Sequence, residues 1–137
     1  MLRKLPYRFS AQREAVLKMV MSTDTHPTAD WIFDEVRREF PRISLGTVYR
    51  NLNQLVSAEQ IREVKDENLT RYDGNIKPHE HIKCLQCGEL FDVNILPEDF
   101  ATSSMPDDSY TIRDVQLTLV VDCSESTCKH QHKRKEK

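Results

Sequence analysis

The four cysteines of this 137-residue chain fall into two pairs with the spacing of metal-binding thiolates. Cys84 and Cys87 form a C-x-x-C knuckle, and Gly88 behind them allows a tight backbone turn. Cys123 and Cys128 form the second pair. Two such pairs meet the requirement of a tetrahedral site with four thiolate ligands, and loop-closure entropy rises only slowly with the length of chain between them. The spacing predicts structural Zn2+ on these four thiolates, with a thiol redox switch on the same cysteines as the alternative.

A second group of side chains offers nitrogen and oxygen donors. His79 and His81 are separated by one residue, so a strand directs both imidazoles to the same face. His26, Asp73 and Asp92 fall in other segments of the chain. Three imidazoles and two carboxylates suit Fe(II), Mn(II) or Zn(II) better than a thiolate-seeking metal. The residue types alone do not establish that these five side chains come together.

Three helices are predicted in the first half of the chain. Each begins after a residue whose hydroxyl can cap a helix N-terminus, namely Ser10, Thr28 and Ser44. The first helix is expected over roughly 11–22 and the third over roughly 45–57. The second carries apolar residues as far as Phe40 and stops at Pro41.

Two short strands follow the helices, at Ile61–Val64 and Thr70–Asp73, around the polar turn at Asp66. Three helices followed by a hairpin is the order of a winged helix-turn-helix, although any small α+β domain could share it. Gly74 to Pro78 is interpreted as a hinge. The sequence thus predicts an α+β protein with a second domain beyond this segment.

The second half is predicted to contain short strands near 81–84 and 90–93 and a short helix over about 97–104. Residues 110–121 alternate and end in an apolar run, which favours a long strand whose C-terminal part is buried on both faces. The basic tail after Cys128 is predicted to be disordered.

Composition gives weaker indications of function. The net charge is −2, and residues 1–75 carry 12 basic against 11 acidic side chains, so charge alone neither requires nor excludes nucleic acid. No apolar run is long enough to span a bilayer, and no secretory signal is recognised, so no membrane partner is expected. A cytoplasmic location, where thiols stay reduced, is predicted.

Three motifs resemble the ferric uptake regulator superfamily in order and spacing. Residues 44–52, SLGTVYRNL, resemble its recognition helix, and residues 26–30, HPTAD, resemble the segment that opens an earlier helix. The run H-x-H-x-x-C-x-x-C-G at 79–88 resembles its central metal motif. The resemblance implies a winged-helix DNA-binding domain over 1–75 and an α/β dimerisation and metal-binding domain over 79–137. It further implies a homodimer that binds a palindromic, AT-rich operator in double-stranded DNA.

The resemblance also implies roles for individual residues. Tyr49 and Arg50 would contact base edges, while Thr47 and Arg13 would contact phosphates. The regulatory Fe2+ or Mn2+ would be held by five residues, which are His26, Asp73, His79, His81 and Asp92. An ion bound by ligands from both domains would hold them in a DNA-binding geometry.

Aspartate at both Asp73 and Asp92 resembles the peroxide-sensing PerR branch more than the iron-uptake branch. The resemblance implies a repressor that is released from DNA when peroxide, with Fe(II), oxidises His26 or His79. An iron- or zinc-uptake repressor of the same superfamily is the alternative. A non-haem iron enzyme and a zinc module for protein interactions represent other classes, although the chain lacks a nucleophile elbow, a phosphate loop and an HExxH motif. The sequence therefore favours a regulator rather than an enzyme.

Overall fold

The computed structural model describes residues 8–122, so Cys123, Cys128 and the basic tail lie outside the described residues. The chain divides into two compact units between Ile76 and Lys77. Three helices and a hairpin make up the first unit, and a three-stranded sheet with one short helix makes up the second. The predicted α+β class is confirmed.

The helices of the first unit begin where hydroxyl side chains cap them. They are α1 (Ala11–Met21), α2 (Ala29–Val36) and α3 (Leu45–Ser57). The hydroxyls of Ser10, Thr28 and Ser44 each accept a hydrogen bond from the backbone N–H three residues ahead, at 3.3, 3.4 and 3.0 Å. Each cap satisfies a donor that the first helical turn leaves unpaired, and the three capping predictions are confirmed.

The predicted extent of α2 is wrong, because the helix ends at Val36 rather than reaching Phe40. The amides of Arg38 and Glu39 bond to carbonyls three residues back, so the chain tightens into turns. Pro41 disfavours the helical conformation at the preceding residue, which prevents the helix from continuing. Phe40 still packs against the core from this turn.

A hairpin closes the first unit. Its strands, β1 (Arg62–Asp66) and β2 (Leu69–Asp73), pair antiparallel around a turn in which Glu67 has a left-handed φ of 57°. Apolar side chains from the helices, the hairpin and the segments next to them form one core, which includes Val16, Val20, Ile32, Val36, Ile43, Val48, Leu52, Leu55, Ile61 and Tyr72. Because α3 buries one face in this core, its opposite face is left to solvent.

The second unit is built on β3 (Glu80–Cys84), the central strand of its sheet. β4 (Leu90–Val93) pairs with it antiparallel, and β5 (Thr118–Val121) pairs with it in parallel on the other side. The short helix α4 (Phe100–Ser103) lies between these strands in the chain. No helix in the described part of the chain is long and apolar enough to cross a membrane.

Two predictions for this unit are wrong. The strand expected over 110–121 is confined to Thr118–Val121, because in the parallel register Thr118 already faces His81, near the start of β3. Its end is not buried on both faces: Leu119 and Val120 are 41% and 62% exposed, since no second layer covers them in the described chain. The helix expected over 97–104 is only α4, because residues 98–99 form a turn instead.

Candidate functional site

In the first unit, His26 and Asp73 lie side by side. Nε2 of His26 is 3.4 Å from Oδ2 of Asp73, and their side chains are 1% and 7% exposed. The other carboxylate oxygen, Oδ1, accepts a hydrogen bond from the amide of Asn75 at 2.8 Å. This bond fixes the carboxylate and leaves Oδ2 directed at the imidazole. The structure therefore brings together the two candidate ligands that belong to this unit.

Neighbouring backbone contacts place this pair. The amide of Tyr72 donates to the carbonyl of Pro27 at 2.9 Å, which holds the loop before α2 against β2. Gly74 follows Asp73 and approaches α1 so closely that an added Cβ would lie 3.0 Å from Sδ of Met21. The backbone of α1 is also near, with Cα of Met21 at 3.3 Å from that position, so Gly74 lets β2 end close against α1.

In the second unit, three candidate ligands share one location. Nε2 of His79 and Nε2 of His81 each lie 3.2 Å from Oδ1 of Asp92, and the ligand atoms of the three residues are within 4.8 Å of one another. His79 directly precedes β3 and His81 lies within it, so extended backbone two residues apart directs both imidazoles to the same carboxylate. Asp92 faces His81 across the antiparallel β3–β4 register. Both imidazoles are buried, whereas the Asp92 side chain is 33% exposed.

The tautomer of His79 follows from its other nitrogen. Nδ1 lies 2.6 Å from the carbonyl oxygen of Lys77. A carbonyl can only accept, so Nδ1 carries a proton, and Nε2, which lies nearest Asp92, is the ring atom left to serve as a metal ligand. A backbone carbonyl in this position is the usual partner that orients a metal-binding imidazole.

Cys84 and Cys87 are both buried, at the turn between β3 and β4. Gly88 adopts a left-handed φ of 71°, and its amide donates to the carbonyl of Cys84 at 2.9 Å. The side-chain amide of Gln86, inside the knuckle, donates to Oδ1 of Asp122 at 2.9 Å. Asp122 directly precedes Cys123 in the chain. The chain is therefore in contact with the Cys84–Cys87 knuckle one residue before the second cysteine pair begins.

The predicted DNA-contacting residues lie in two different environments, some at the surface of α3 and one buried between helices. Tyr49 and Arg50 are exposed on α3, and Thr47 is half-buried beside the Ser44 cap. Arg13 is instead 8% exposed, and its guanidinium donates to Oε1 of Gln54 at 2.9 Å and to the carbonyl of Arg8. These bonds link α1 to α3, so Arg13 is better placed to hold α3 than to bind phosphate.

Two contributors to the site escaped the sequence analysis. Glu80 is the first residue of β3 and lies between His79 and His81 in the chain; it is buried, and its Oε1 accepts hydrogen bonds from the amides of Ile95 and Leu96. Arg71 donates to the carbonyl of His26 while it pairs with Asp66. The burial of these two charged residues could not be predicted from the sequence. The H-E-H run at 79–81 places Glu80 next to two candidate ligands but does not indicate its hydrogen-bond partners.

The sequence profile of the ferric uptake regulator family matches residues 4–120, which is most of the chain. The chain belongs to the ferric uptake regulator family. Because this is a family of regulators, the non-haem iron enzyme considered above has no support from the comparison.

The regulator is also similar to curated relatives. The peroxide-responsive repressor PerR of Staphylococcus aureus strain USA300 is 38% identical over 92 residues, and the PerR of strain COL matches equally well. The matched region covers 66% of this chain but only 62% of the PerR chain. The similarity therefore spans less than two thirds of the length of these relatives.

Solved structures of regulators share its fold. The ferric uptake regulator of Francisella tularensis, solved with iron, has 26% identity and a TM-score of 0.70, covering 90% of this chain and 97% of its own. The peroxide stress regulator of Campylobacter jejuni has 28% identity and a TM-score of 0.70, covering 85% and 88%. The matched share of this chain is larger than either unit alone, so both units have counterparts in these regulators.

Proposed function

We propose that this chain is a metal-dependent transcriptional repressor that binds DNA as a homodimer and responds to peroxide. The observation that carries the proposal is the burial of imidazoles against carboxylates in both units. His26 pairs with Asp73, and His79 and His81 share one oxygen of Asp92. Such groups are costly to bury unless they are paired or bind a metal.

We propose that one ion draws its ligands from both units. Two donors from the first unit and three from the second would give five, whereas the two or three donors of one unit alone would leave half or more of a six-coordinate Fe(II) or Mn(II) ion to water. Asp73 and His79 are separated by five residues of chain, so the tether keeps the two ligand sets within reach of each other. Metal binding would thereby restrict the position of the DNA-binding unit relative to the second unit. This restriction would couple metal binding to DNA affinity.

We propose a separate structural Zn2+ on Cys84, Cys87, Cys123 and Cys128. Its support is the composition of the second unit, whose buried apolar residues among those described are Cys84, Cys87 and Leu90. So small an apolar interior needs another source of stability, and a thiolate-bound zinc supplies one directly. Reduced thiolates fit the cytoplasmic location that the sequence favours.

DNA binding is proposed for α3. Its exposed face carries Tyr49, Arg50 and Asn53, and no acidic residue occurs between Leu45 and Ser57. The guanidinium of Arg50 can donate two hydrogen bonds to a guanine edge, and the ring of Tyr49 can contact a thymine methyl. Thr47 is proposed as a phosphate contact, and Arg13 as the residue that holds α3 against α1.

A homodimer is proposed because one recognition helix reads only one half-site of a palindrome. The second unit has a candidate contact surface: β5 forms an edge of its sheet and exposes Leu119 and Val120. An exposed apolar edge strand invites pairing with a second copy of itself.

Peroxide sensing is proposed from the relatives and from the two aspartates. The five nitrogen and oxygen donors would hold Fe(II), which would supply the electrons that activate hydrogen peroxide. In the net reaction, an imidazole carbon of His26 or His79 exchanges its bond to hydrogen for a bond to oxygen, and the peroxide is reduced to water. The modified ring would bind metal less well, which would free the protein from DNA.

Fluorescence anisotropy on a palindromic, AT-rich duplex tests this function. Mn(II) should tighten binding by roughly tenfold or more over the zinc-loaded, Mn(II)-free protein, while a random duplex gains little. Peroxide added to the Fe(II) form should add the mass of one oxygen atom to a peptide that contains His26 or His79. Mn(II)-dependent DNA binding without that mass shift would indicate an iron- or zinc-uptake repressor instead, and no effect of metal would contradict the proposal.

A further inference from the structure

Arg71 joins the hairpin to the loop that carries His26. Its Nε donates to Oδ2 of Asp66 at 2.7 Å, and its Nη1 donates to the backbone carbonyl of His26 at 3.0 Å. The side chains of Arg71 and Asp66 are only 12% and 4% exposed. A buried guanidinium needs both a counter-charge and acceptors in fixed directions, and these two contacts supply them.

The backbone that receives this bond has an unusual conformation. His26 has a φ of 57°, in the left-handed region that residues with a Cβ seldom occupy. Such a residue keeps this conformation only where surrounding contacts hold it. Other contacts that hold the loop include the bond from Tyr72 to Pro27, the bridge between Thr28 and Arg71, and the pairing of His26 with Asp73.

We propose that Arg71 is a positioning residue of the regulatory metal site. Its guanidinium, neutralised by Asp66, holds the left-handed turn at His26 against β2, so that Nε2 of His26 faces the carboxylate of Asp73. The inference rests on the proposed function, because it gives Arg71 a role in the metal site proposed there. It adds a physical link between the hairpin and a metal ligand: movement of His26 would be transmitted through Arg71 to β1 and β2.

The double variant Asp66→Asn with Arg71→Gln tests this role, because it removes both charges and leaves neither buried alone. Arg71→Lys keeps the positive charge near Asp66 but lacks the planar fork. The matched control is Lys65→Gln with Thr70→Val, which breaks an exposed bond of 3.0 Å between the strands of the same hairpin. All are prepared as full-length, zinc-loaded proteins.

Two quantities are measured, namely Mn(II) affinity by EPR of free Mn(II) and hydrogen exchange of the Tyr72 amide without Mn(II). The Asp66/Arg71 variant should lose roughly 10- to 100-fold in Mn(II) affinity, as loss of an outer-shell partner does, and its Tyr72 amide should exchange faster. The control should match the wild-type protein in both. Arg71→Lys should recover part of the affinity.

A folded Asp66/Arg71 variant with wild-type affinity and wild-type exchange would overturn the inference. If that variant does not fold, Arg71→Lys decides: lower affinity with faster exchange supports the role, and wild-type values for both overturn it. If the wild-type protein binds no Mn(II) beyond its zinc, the proposed function fails. Exchange at Tyr72 then still shows whether Arg71 holds the turn at His26.

Discussion

Nε2 of His26 lies 3.4 Å from Oδ2 of Asp73, although two helices and a strand separate these residues in the chain. Both side chains are buried, so the fold has removed a histidine and a carboxylate from water and set them against each other. Burial without a partner would be costly, and a buried pair of this kind is well suited to a shared cation. The second unit repeats the arrangement with Asp92 between two imidazoles.

Arg50→Ala should weaken binding to the operator far more than binding to a random duplex. A bidentate arginine–guanine contact contributes about 1–3 kcal/mol of discrimination, so the ratio of the two affinities should fall roughly 10- to 100-fold. Anisotropy at one fixed salt concentration measures both affinities. Arg38→Ala is the matched control, because Arg38 is an exposed arginine outside α3. An unchanged ratio in the Arg50 variant would remove this residue from the proposed reading surface.

Cys84→Ser should lower bound zinc and destabilise the second unit, because a hydroxyl replaces a buried thiolate ligand. Zinc content by mass spectrometry and thermal unfolding provide the measurement. Leu85→Ala is the control, since Leu85 sits in the same knuckle but is 55% exposed. Full zinc content and an unchanged melting temperature in the Cys84 variant would contradict a four-cysteine zinc site.

Glu80→Ala should destabilise the second unit by about 1–3 kcal/mol, because the carboxylate of Glu80 accepts hydrogen bonds from the amides of Ile95 and Leu96, just beyond β4. Both amides should exchange faster with solvent deuterium. Asp92 lies on β4, so Mn(II) affinity should fall as well. The exposed Glu98 provides a control through Glu98→Ala. Wild-type exchange at residues 95 and 96 would show that Glu80 does not hold this segment.

Alkaline stability should depend on Tyr72. Burial, with smaller contributions from Glu63 and Tyr49, raises the pKa of Tyr72 from 10.0 to about 12. As pH rises, the unfolded chain therefore loses the Tyr72 proton before the folded chain does. The contribution of this raised pKa to the free energy of unfolding is complete below pH 10 and is lost as pH rises towards 12. The free energy of unfolding should fall over this window, and less steeply in Tyr72→Phe than in the wild-type protein. Tyr110→Phe, at a side chain 61% exposed, should leave the slope unchanged; equal slopes in all three proteins would refute the assignment.

Local interactions explain what the sequence could predict. The caps at Ser10, Thr28 and Ser44 act within three residues, and the apolar face of α3 follows from helical spacing. His79 and His81 are also close in the chain, at the start of β3, where extended backbone directs side chains two residues apart to the same side. Each of these patterns is complete within one element, so each could be recognised before the fold was known.

Non-local pairing explains what the sequence could not predict. The apolar alternation of residues 110–121 is compatible with a long strand, but the length of β3 decided how much of it pairs. The pairing of Arg71 with Asp66 and of Glu80 with the chain after β4 depends on side chains meeting in space. The bond from Arg13, a predicted phosphate contact, to Gln54 likewise depends on α1 meeting α3 in space.

The central claim is that the two ligand sets hold one ion together, and Mn(II) stoichiometry tests it most directly. Equilibrium dialysis of the zinc-loaded protein should give one Mn(II) per chain beyond the zinc. His26→Ala in the first unit and His81→Ala in the second should each abolish that same equivalent and, with it, Mn(II)-dependent operator binding. If either variant keeps its Mn(II), or if the two lose separate ions, the ligands do not share one site and this account of regulation is wrong.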